Sequence, residues 1–187
     1  MKTGEAVNSA LKIIGLAGLS GVTVTAPSAK KAMAVLLRRS SVPAASHQSV
    51  LNELRRQKLV EIGRERGKVH FTITPAGAYR LQKVIVDELE VKMPRIWDKK
   101  WRMVSFDIPM KFSRQRAAFV QHLQNKGFYM LQKSMWVHPA PCFDVIEELA
   151  SYYNLLRFCT FAEIDMLDDL SDRRLMLHFR GIIKYTR

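Results

Sequence analysis

Side-chain amides and guanidinium groups recur at helical spacing in the first third of the chain. A helix is predicted over about Ser46–Lys58, with Ser46 as its cap. Its buried side carries Val50, Leu51 and Leu54, and its outward side carries His47, Gln48, Asn52, Arg55 and Arg56. Glutamine and asparagine can bond bidentately to the edge of adenine, and arginine suits phosphate or guanine. The spacing therefore predicts a helix that reads the major groove of double-stranded DNA.

A basic loop bounded by glycines follows this helix. It joins two short runs, Leu59–Ile62 and Val69–Thr74, and the second run alternates apolar and polar residues as a half-buried strand does. The loop Gly63–Lys68 is therefore predicted to be the tip of a hairpin. Its cations are Arg64, Arg66 and Lys68. We expect them to contact the flanking DNA backbone or minor groove, where cations supply affinity and salt dependence rather than sequence choice.

The charge of the chain is concentrated in the same region. The 187 residues carry a net charge of +13. Residues 1–83 hold 14 Lys and Arg against 4 Asp and Glu, a net of +10, whereas residues 97–187 hold 14 against 10, a net of +4. An excess of this size predicts a polyanionic partner, in the first place nucleic acid. A charged, solvated face on a protein-docking module is the alternative.

Three further helices are predicted around the amide-rich one. They cover Glu5–Gly18, with Gly18 as a stop, Ser28–Arg39, with Ser28 as a cap, and a segment from Thr74 and Pro75 to about Leu89. Their apolar stripes are Val7, Leu11, Ile14 and Leu19, then Ala32, Val35 and Leu36, then Tyr79, Leu81, Val84 and Ile85. Three helices, of which the amide-rich one is the third, are thus followed by a basic hairpin. This order predicts a winged helix-turn-helix over residues 1–90.

After a predicted linker at residues 91–100, the second half of the chain alternates strands and helices. The predicted elements are a strand at Trp101–Ile108, a helix from Ser113 to Gly127, a hairpin of Phe128–Gln132 and Ser134–His138, a helix at Cys142–Leu156 and a strand at Phe158–Asp165. This βαββαβ order predicts a ferredoxin-like domain over residues 101–187, and hence an α+β chain. The tail Leu170–Phe179 is predicted to form a helix or an edge strand.

One carboxylate of the second half stands where it could do chemistry. Asp107 is predicted near the end of the first strand, on the face opposite Val104 and Phe106. Two such carboxylates in a symmetric dimer could bind Mg²⁺ and activate water against a phosphodiester. The simpler interpretation is that Asp107 caps the following turn or pairs with Arg114 or Arg116. The acidic group Asp165, Asp168, Asp169 and Asp172 is interpreted as a solvated loop and helix cap.

The residues around Asp107 resemble a known family. They are the run Trp97–Pro109, followed by Arg114-Gln115-Arg116, Leu123, Gly127-Phe128 and Leu131–Pro139. This pattern resembles the middle domain of phenylacetic-acid degradation repressors of the PaaX type. That middle domain is similar to the small ferredoxin-like endonuclease subunit of CRISPR adaptation complexes. Leu59-Val60 and Thr72–Gly77 fit the N-terminal winged helix of the same repressors.

The resemblance implies DNA binding by the winged helix and dimerisation by the second domain. It also places Asp107 at the position of the adaptation subunit's metal-binding aspartate. The expected function is thus a dimeric, sequence-specific double-stranded-DNA-binding transcriptional regulator without the usual C-terminal region of such repressors, which leaves a small-molecule effector open. The alternative is a Mg²⁺-dependent endonuclease or adaptation subunit that uses Asp107, whereas DNA binding itself requires no cofactor.

The compartment follows from two simple counts. The chain has only two cysteines, Cys142 and Cys159, so no disulfide framework is expected. It has no apolar run of about 18 residues, so no membrane partner is expected. Both observations favour a cytoplasmic protein.

Overall fold

The chain divides into two compact units. The computed structural model describes residues 2–17 and 21–184. Contacts between Cα atoms separate Met1–Ile85 from Val86–Arg187. The predicted stop at Gly18 and the predicted stripe residue Leu19 lie outside the described residues. Within the described ranges, no helix has the length and apolar character needed to cross a bilayer.

The first unit packs helices against a three-stranded antiparallel sheet. Its elements in chain order are α1 (Thr3–Leu16), β1 (Val22–Thr25), α2 (Ala29–Leu36), α3 (His47–Arg56), β2 (Val60–Glu65), β3 (Lys68–Ile73) and α4 (Pro75–Glu88), which runs across the division between the units. The strand order is β1-β3-β2. Val7, Leu11 and Ile14 of α1 are fully buried, as their spacing predicts. The core of this unit joins them to Leu54 and Phe71.

Two predicted stripes of this unit are wrong in part. On α2, Ala32 is buried as predicted, but Val35 is 56% exposed and Met33 is buried in its place. On α4, Tyr79 is 66% exposed. The predicted cap Ser28 is confirmed, since its hydroxyl accepts from the Lys31 amide at 3.3 Å.

The hairpin between β2 and β3 closes with a two-residue turn. Its strands reach further than predicted, so that Gly63 and Arg64 lie within β2. Arg66 and Gly67 both have positive φ, 46° and 75°. A turn with two positive φ angles matches the right-handed twist of the flanking strands. The predicted basic tip is therefore a tight, ordered turn with Arg66 at its end.

The second unit contains a four-stranded antiparallel sheet with helices on both faces. Its elements are β4 (Trp101–Phe106), α5 (Ser113–Asn125), β5 (Tyr129–Gln132), β6 (Met135–His138), α6 (Phe143–Tyr152), β7 (Cys159–Ile164) and α7 (Asp169–Phe179). The strand order is β5-β6-β4-β7. The predicted βαββαβ order and the mixed α+β class are confirmed, and the tail forms a helix rather than an edge strand. Ser113 is the first residue of α5 and not its cap, because a short 3₁₀ turn precedes it.

The two faces of this sheet have different covers. One face buries Val104 and Trp136 in a cluster with residues of α5 and α6. The opposite face buries Trp101 in a cluster with Leu175 and Phe179 of α7. Trp97 joins this second cluster, with its ring centroid 4.7 Å from that of Trp101. The segment before β4 is thereby held against the sheet.

The buried His138 gives this unit a pH-dependent stability. Burial lowers the pKa of His138 to about 4, and its Nδ1 accepts from the Ala140 amide at 3.0 Å. Below the ordinary pKa of histidine, the folded state therefore binds fewer protons than the unfolded state. The free energy of unfolding consequently decreases as the pH is lowered. We expect a loss of about 2 kcal/mol between about pH 7.5 and about pH 5. Urea denaturation at both pH values measures this difference in the free energy of unfolding. His138→Asn should remove most of the difference; a variant that keeps the full difference would show that other groups cause it.

Candidate nucleic-acid interface

The helix α3 has a clear division between a buried and an open face. Val50, Leu51 and Leu54 are buried as predicted, with exposures of 0–2%. His47 was expected to point outward, and that expectation is wrong: it is 8% exposed, and its Nε2 donates to the Val42 carbonyl at 3.3 Å. The reason is the helical period, because position 47 precedes 50, 51 and 54 on the same stripe. His47 therefore holds the turn before α3.

The N-terminus of α3 also differs from the prediction. Ser46 makes no capping hydrogen bond, and a 3₁₀ turn at Ala44–Ser46 leads directly into the helix. The first amides of α3 are thus not satisfied by the predicted hydroxyl. Neighbouring Ser49 is exposed on the first turn of the helix.

The two predicted base-reading side chains are hydrogen-bonded to each other. Gln48 Nε2 donates to Asn52 Oδ1 at 2.9 Å, which is the usual reach of side chains four positions apart on a helix. Asn52 is exposed and Gln48 is half-buried. Each residue keeps groups for a ligand, because the Gln48 carbonyl oxygen can accept and the Asn52 amide can donate. The pair therefore keeps one carbonyl acceptor, on Gln48, and N–H donors on both amides.

The two arginines at the end of α3 differ in how they are engaged. Arg56 donates to Glu53 through Nε at 2.8 Å and Nη2 at 2.5 Å. Hydrogen bonds from Arg56 and Gln57 lower the pKa of Glu53 to about 2, so the carboxylate keeps its charge. Arg55 is exposed and forms no ion pair with any described residue. Of the two, Arg55 is the one whose guanidinium remains free for an anion.

A chain of polar contacts fixes this end of α3 to the neighbouring helices. Gln57, next after α3, donates to Glu53. Arg80 of α4 donates to Gln57 Oε1 at 2.5 Å and to Asn8 of α1 at 3.0 Å. Arg80 is only partly exposed, so these bonds are shielded from water. The sequence carried one signal for this network, the spacing of three between Glu53 and Arg56.

The hairpin cations occupy three different environments. Arg64 donates to the Pro27 carbonyl, just before the start of α2. The Arg66 side chain is 91% exposed at the turn and lies 3.9 Å from Glu65, which is a weak surface pair. Lys68 is exposed and stands opposite Glu65 in the strand register. Arg64 is thus oriented by the fold, whereas Arg66 and Lys68 extend into solvent.

Two lysines that the sequence reasoning left out lie beside Arg64. Lys30 and Lys31 are exposed on the first turn of α2, directly after the cap Ser28. Because Arg64 reaches Pro27, these three cations flank the N-terminus of one helix, where the helix dipole also attracts anions. The sequence does contain a sign of this cationic helix start, because two lysines follow a predicted cap residue.

Asp107 belongs to the second unit and directly follows β4. Its amide donates to the Phe158 carbonyl at 3.0 Å, and its carboxylate is exposed. The carboxylate pairs with neither Arg114 nor Arg116, whose guanidinium instead lies 5.7 Å from the Phe106 ring centroid. Among the described residues, no group of three or more His, Cys, Asp or Glu side chains is placed to hold a metal ion. The metal role of Asp107 stays a prediction.

Comparison with known proteins concerns the second unit. Residues 94–176, a little under half of the chain, match the family model described as the PaaX protein central Cas2-like domain. A search of the curated proteins finds no match. The βαββαβ order and antiparallel sheet of residues 101–164 fit such a domain. The match points to a PaaX-type regulator in general. The resemblance of this chain to the PaaX-type family, with its Cas2-like middle domain, is therefore confirmed over residues 94–176.

Proposed function

We propose that the chain is a dimeric, sequence-specific regulator of transcription that binds double-stranded DNA through its first unit. The observation that carries this proposal is the open face of α3. Its buried stripe anchors the helix in the core, while Gln48 and Asn52 are left to meet the edges of bases and Arg55 to meet guanine or phosphate. A helix of this width fits the major groove. The net charge of +10 over residues 1–83 supplies attraction to phosphate.

The order of elements in the first unit supports a winged helix-turn-helix. A helix and a short strand precede two packed helices, and a hairpin then completes an antiparallel sheet of order β1-β3-β2. In this arrangement α3 is the recognition helix and the β2–β3 hairpin is the wing. The wing carries Arg64, Arg66 and Lys68, which suit the sugar-phosphate backbone on either side of the groove.

A footprinting experiment tests the function as a whole. We expect protection of a pseudo-palindromic site, because a symmetric dimer presents two recognition helices related by a two-fold axis. Equal affinity for all duplexes, or none at low salt, would contradict the proposal; the second result would favour protein docking instead. The same incubations with Mg²⁺ should leave the duplex intact. Cleavage that Asp107→Asn abolishes would favour the endonuclease alternative.

The difference between Arg55 and Arg56 gives a sharper expectation. Arg55→Ala should weaken operator binding by about 1–3 kcal/mol and flatten the salt dependence of the binding constant by about one charge. Arg56→Ala should weaken it less, because its guanidinium already pairs with Glu53. Titration of a labelled duplex at several salt concentrations measures both effects.

The matched control for these variants is Lys133→Ala. It removes the same charge from an exposed position of the second unit. Its binding constant and salt slope should equal those of the unmodified chain. An equal loss in Arg55→Ala, Arg56→Ala and Lys133→Ala would indicate that net charge alone drives binding, and would contradict recognition by α3.

A further inference from the structure

The outward face of α7 is apolar at both ends. Leu170 is 61% exposed and Leu177 is 65% exposed, although they lie one heptad apart on the same side of the helix. Met166, just before the helix, is 87% exposed. The inward face is different, since Leu175 and Phe179 are buried against the sheet. We call the surface formed by Met166, Leu170, Arg173, Arg174 and Leu177 the α7 face.

Charge is separated along this helix. Asp165 and Asp168 precede it, Asp169 and Asp172 lie in its first turn, and the arginines follow at Arg173, Arg174 and Arg180. Asp168 caps the helix, because its carboxylate accepts from the Ser171 amide at 2.9 Å. Within the described residues, neither Arg173 nor Arg174 has an ion-pair partner. The acidic end and the basic middle are therefore complementary to a copy of the same helix running in the opposite direction.

A groove at the acidic end is suited to an arginine side chain. It encloses about 320 Å³ and is lined by Asp165, Asp169 and Asp172, with Trp97, Lys99 and Met176 among its other walls. Asp172 already accepts from Trp101 Nε1 at 2.8 Å, and Asp165 lies 3.6 Å from Lys100 Nζ in an exposed ion pair. Among the described residues, Asp169 is thus the exposed carboxylate of the groove without an ion-pair partner. Arginine combines a charged head with an apolar stem, so it can meet carboxylates and the Trp97 ring together.

We propose that the α7 face pairs with the α7 face of a second copy of this chain, in antiparallel orientation. Arg173 and Arg174 then enter the acidic groove of the partner, and Leu177 packs on the partner's Met166. The pairing is isologous, so every contact occurs twice. The inference rests on the dimer in the proposed function and names its surface.

The sheet face beneath α7 is covered by that helix and is not accessible to a second copy of the chain. Trp101 and Val137 are 2% and 0% exposed on that face, because α7 already covers them. The apolar residues left exposed here belong to the outer side of α7. A second copy that uses this region therefore meets the helix rather than the strands.

Charge reversal tests the pairing directly. Sedimentation of the full chain over a range of concentrations should show a monomer–dimer equilibrium. Arg173→Glu and Asp169→Arg should each weaken self-association at least tenfold, because each places like charges opposite one another twice. Mixed in equal amounts, the two variants should restore a dimer, since each interface then holds two opposite pairs. The control Arg114→Glu, at an exposed site on α5, should leave the equilibrium unchanged.

Three outcomes would overturn the inference. They are a monomeric unmodified chain at all concentrations, dimers that persist in both single variants, and mixing that restores nothing although circular dichroism shows folded chains. Binding to a duplex that holds a single half-site separates this question from the function. If both variants bind the half-site normally but still dimerise, the α7 face is wrong and the proposed function stands.

Discussion

Replacement of Gly77 by alanine is expected to destabilise the first unit by about 3 kcal/mol. A Cβ at this position would lie 2.0 Å from the Leu59 carbonyl oxygen and 3.1 Å from Ile73 Cγ2. The backbone there has little freedom, because the Thr74 amide donates to the same Leu59 oxygen at 3.1 Å. The Thr74 hydroxyl also accepts from the Gly77 amide at 3.0 Å. The start of α4 must move away from the segment that joins α3 to β2.

Urea denaturation measures the loss, and Gly4→Ala is the matched control. Gly4 lies in the first turn of α1, where an added Cβ meets no atom within 4 Å, so the same substitution should be neutral or slightly stabilising. Under the proposed function, Gly77→Ala should also weaken DNA binding, although no contact residue has changed, because the end of α3 is displaced. Equal stability of the two variants would show that α4 can shift without strain.

Replacement of Trp101 by alanine is expected to cost the second unit about 3–5 kcal/mol. Trp101 is 2% exposed, and its ring lies 4.7 Å from Trp97 and 5.8 Å from Phe179, measured between centroids. Its Nε1 donates to Asp172 at 2.8 Å. The substitution therefore leaves a cavity between the sheet and α7 and removes a bond that ties this helix down. Hydrogen exchange should show α7 losing protection before the strands do.

Trp101→Phe separates the ring from the hydrogen bond. It keeps an aromatic ring but loses part of the indole volume and the donor to Asp172, so a cost of about 1–2 kcal/mol is expected. Both variants should weaken dimerisation in proportion to the loss of protection in α7. A full loss of protection with an unchanged dimer would contradict the role of the α7 face.

Local patterns were sufficient to predict most elements of the chain. The stripe of Val50, Leu51 and Leu54, the alternation of Val69 and Phe71, and the βαββαβ order all report a period that a single sequence displays. The outward prediction for His47 is wrong because histidine is a polar residue type, whereas position 47 completes a buried stripe. Ser46 failed as a cap because the preceding residues form a 3₁₀ turn, which the choice of residue types does not reveal.

The state of each candidate site residue depended on tertiary contacts. The bond from Arg64 to Pro27 spans 37 positions, and no pattern along the chain points to it. The position of α7 also depends on tertiary contacts. The residue pattern of the tail suits a helix or an edge strand equally, and its helix is fixed by packing on Trp101 and Val137. The roles of Gln48, Asn52, Arg55 and Asp107 toward nucleic acid or metal remain predictions.

The contact between Arg80 and Gln57 has an evolutionary consequence. The availability of Arg56 for a ligand depends on how firmly Glu53 holds it, and Glu53 is oriented in turn by Gln57 and Arg80. Under the proposed function, a substitution of Arg80 on α4 therefore alters how Arg56 meets DNA while every residue of α3 stays the same. If the proposed function holds, two chains with identical α3 sequences would then differ in DNA binding through the residue at position 80 of α4.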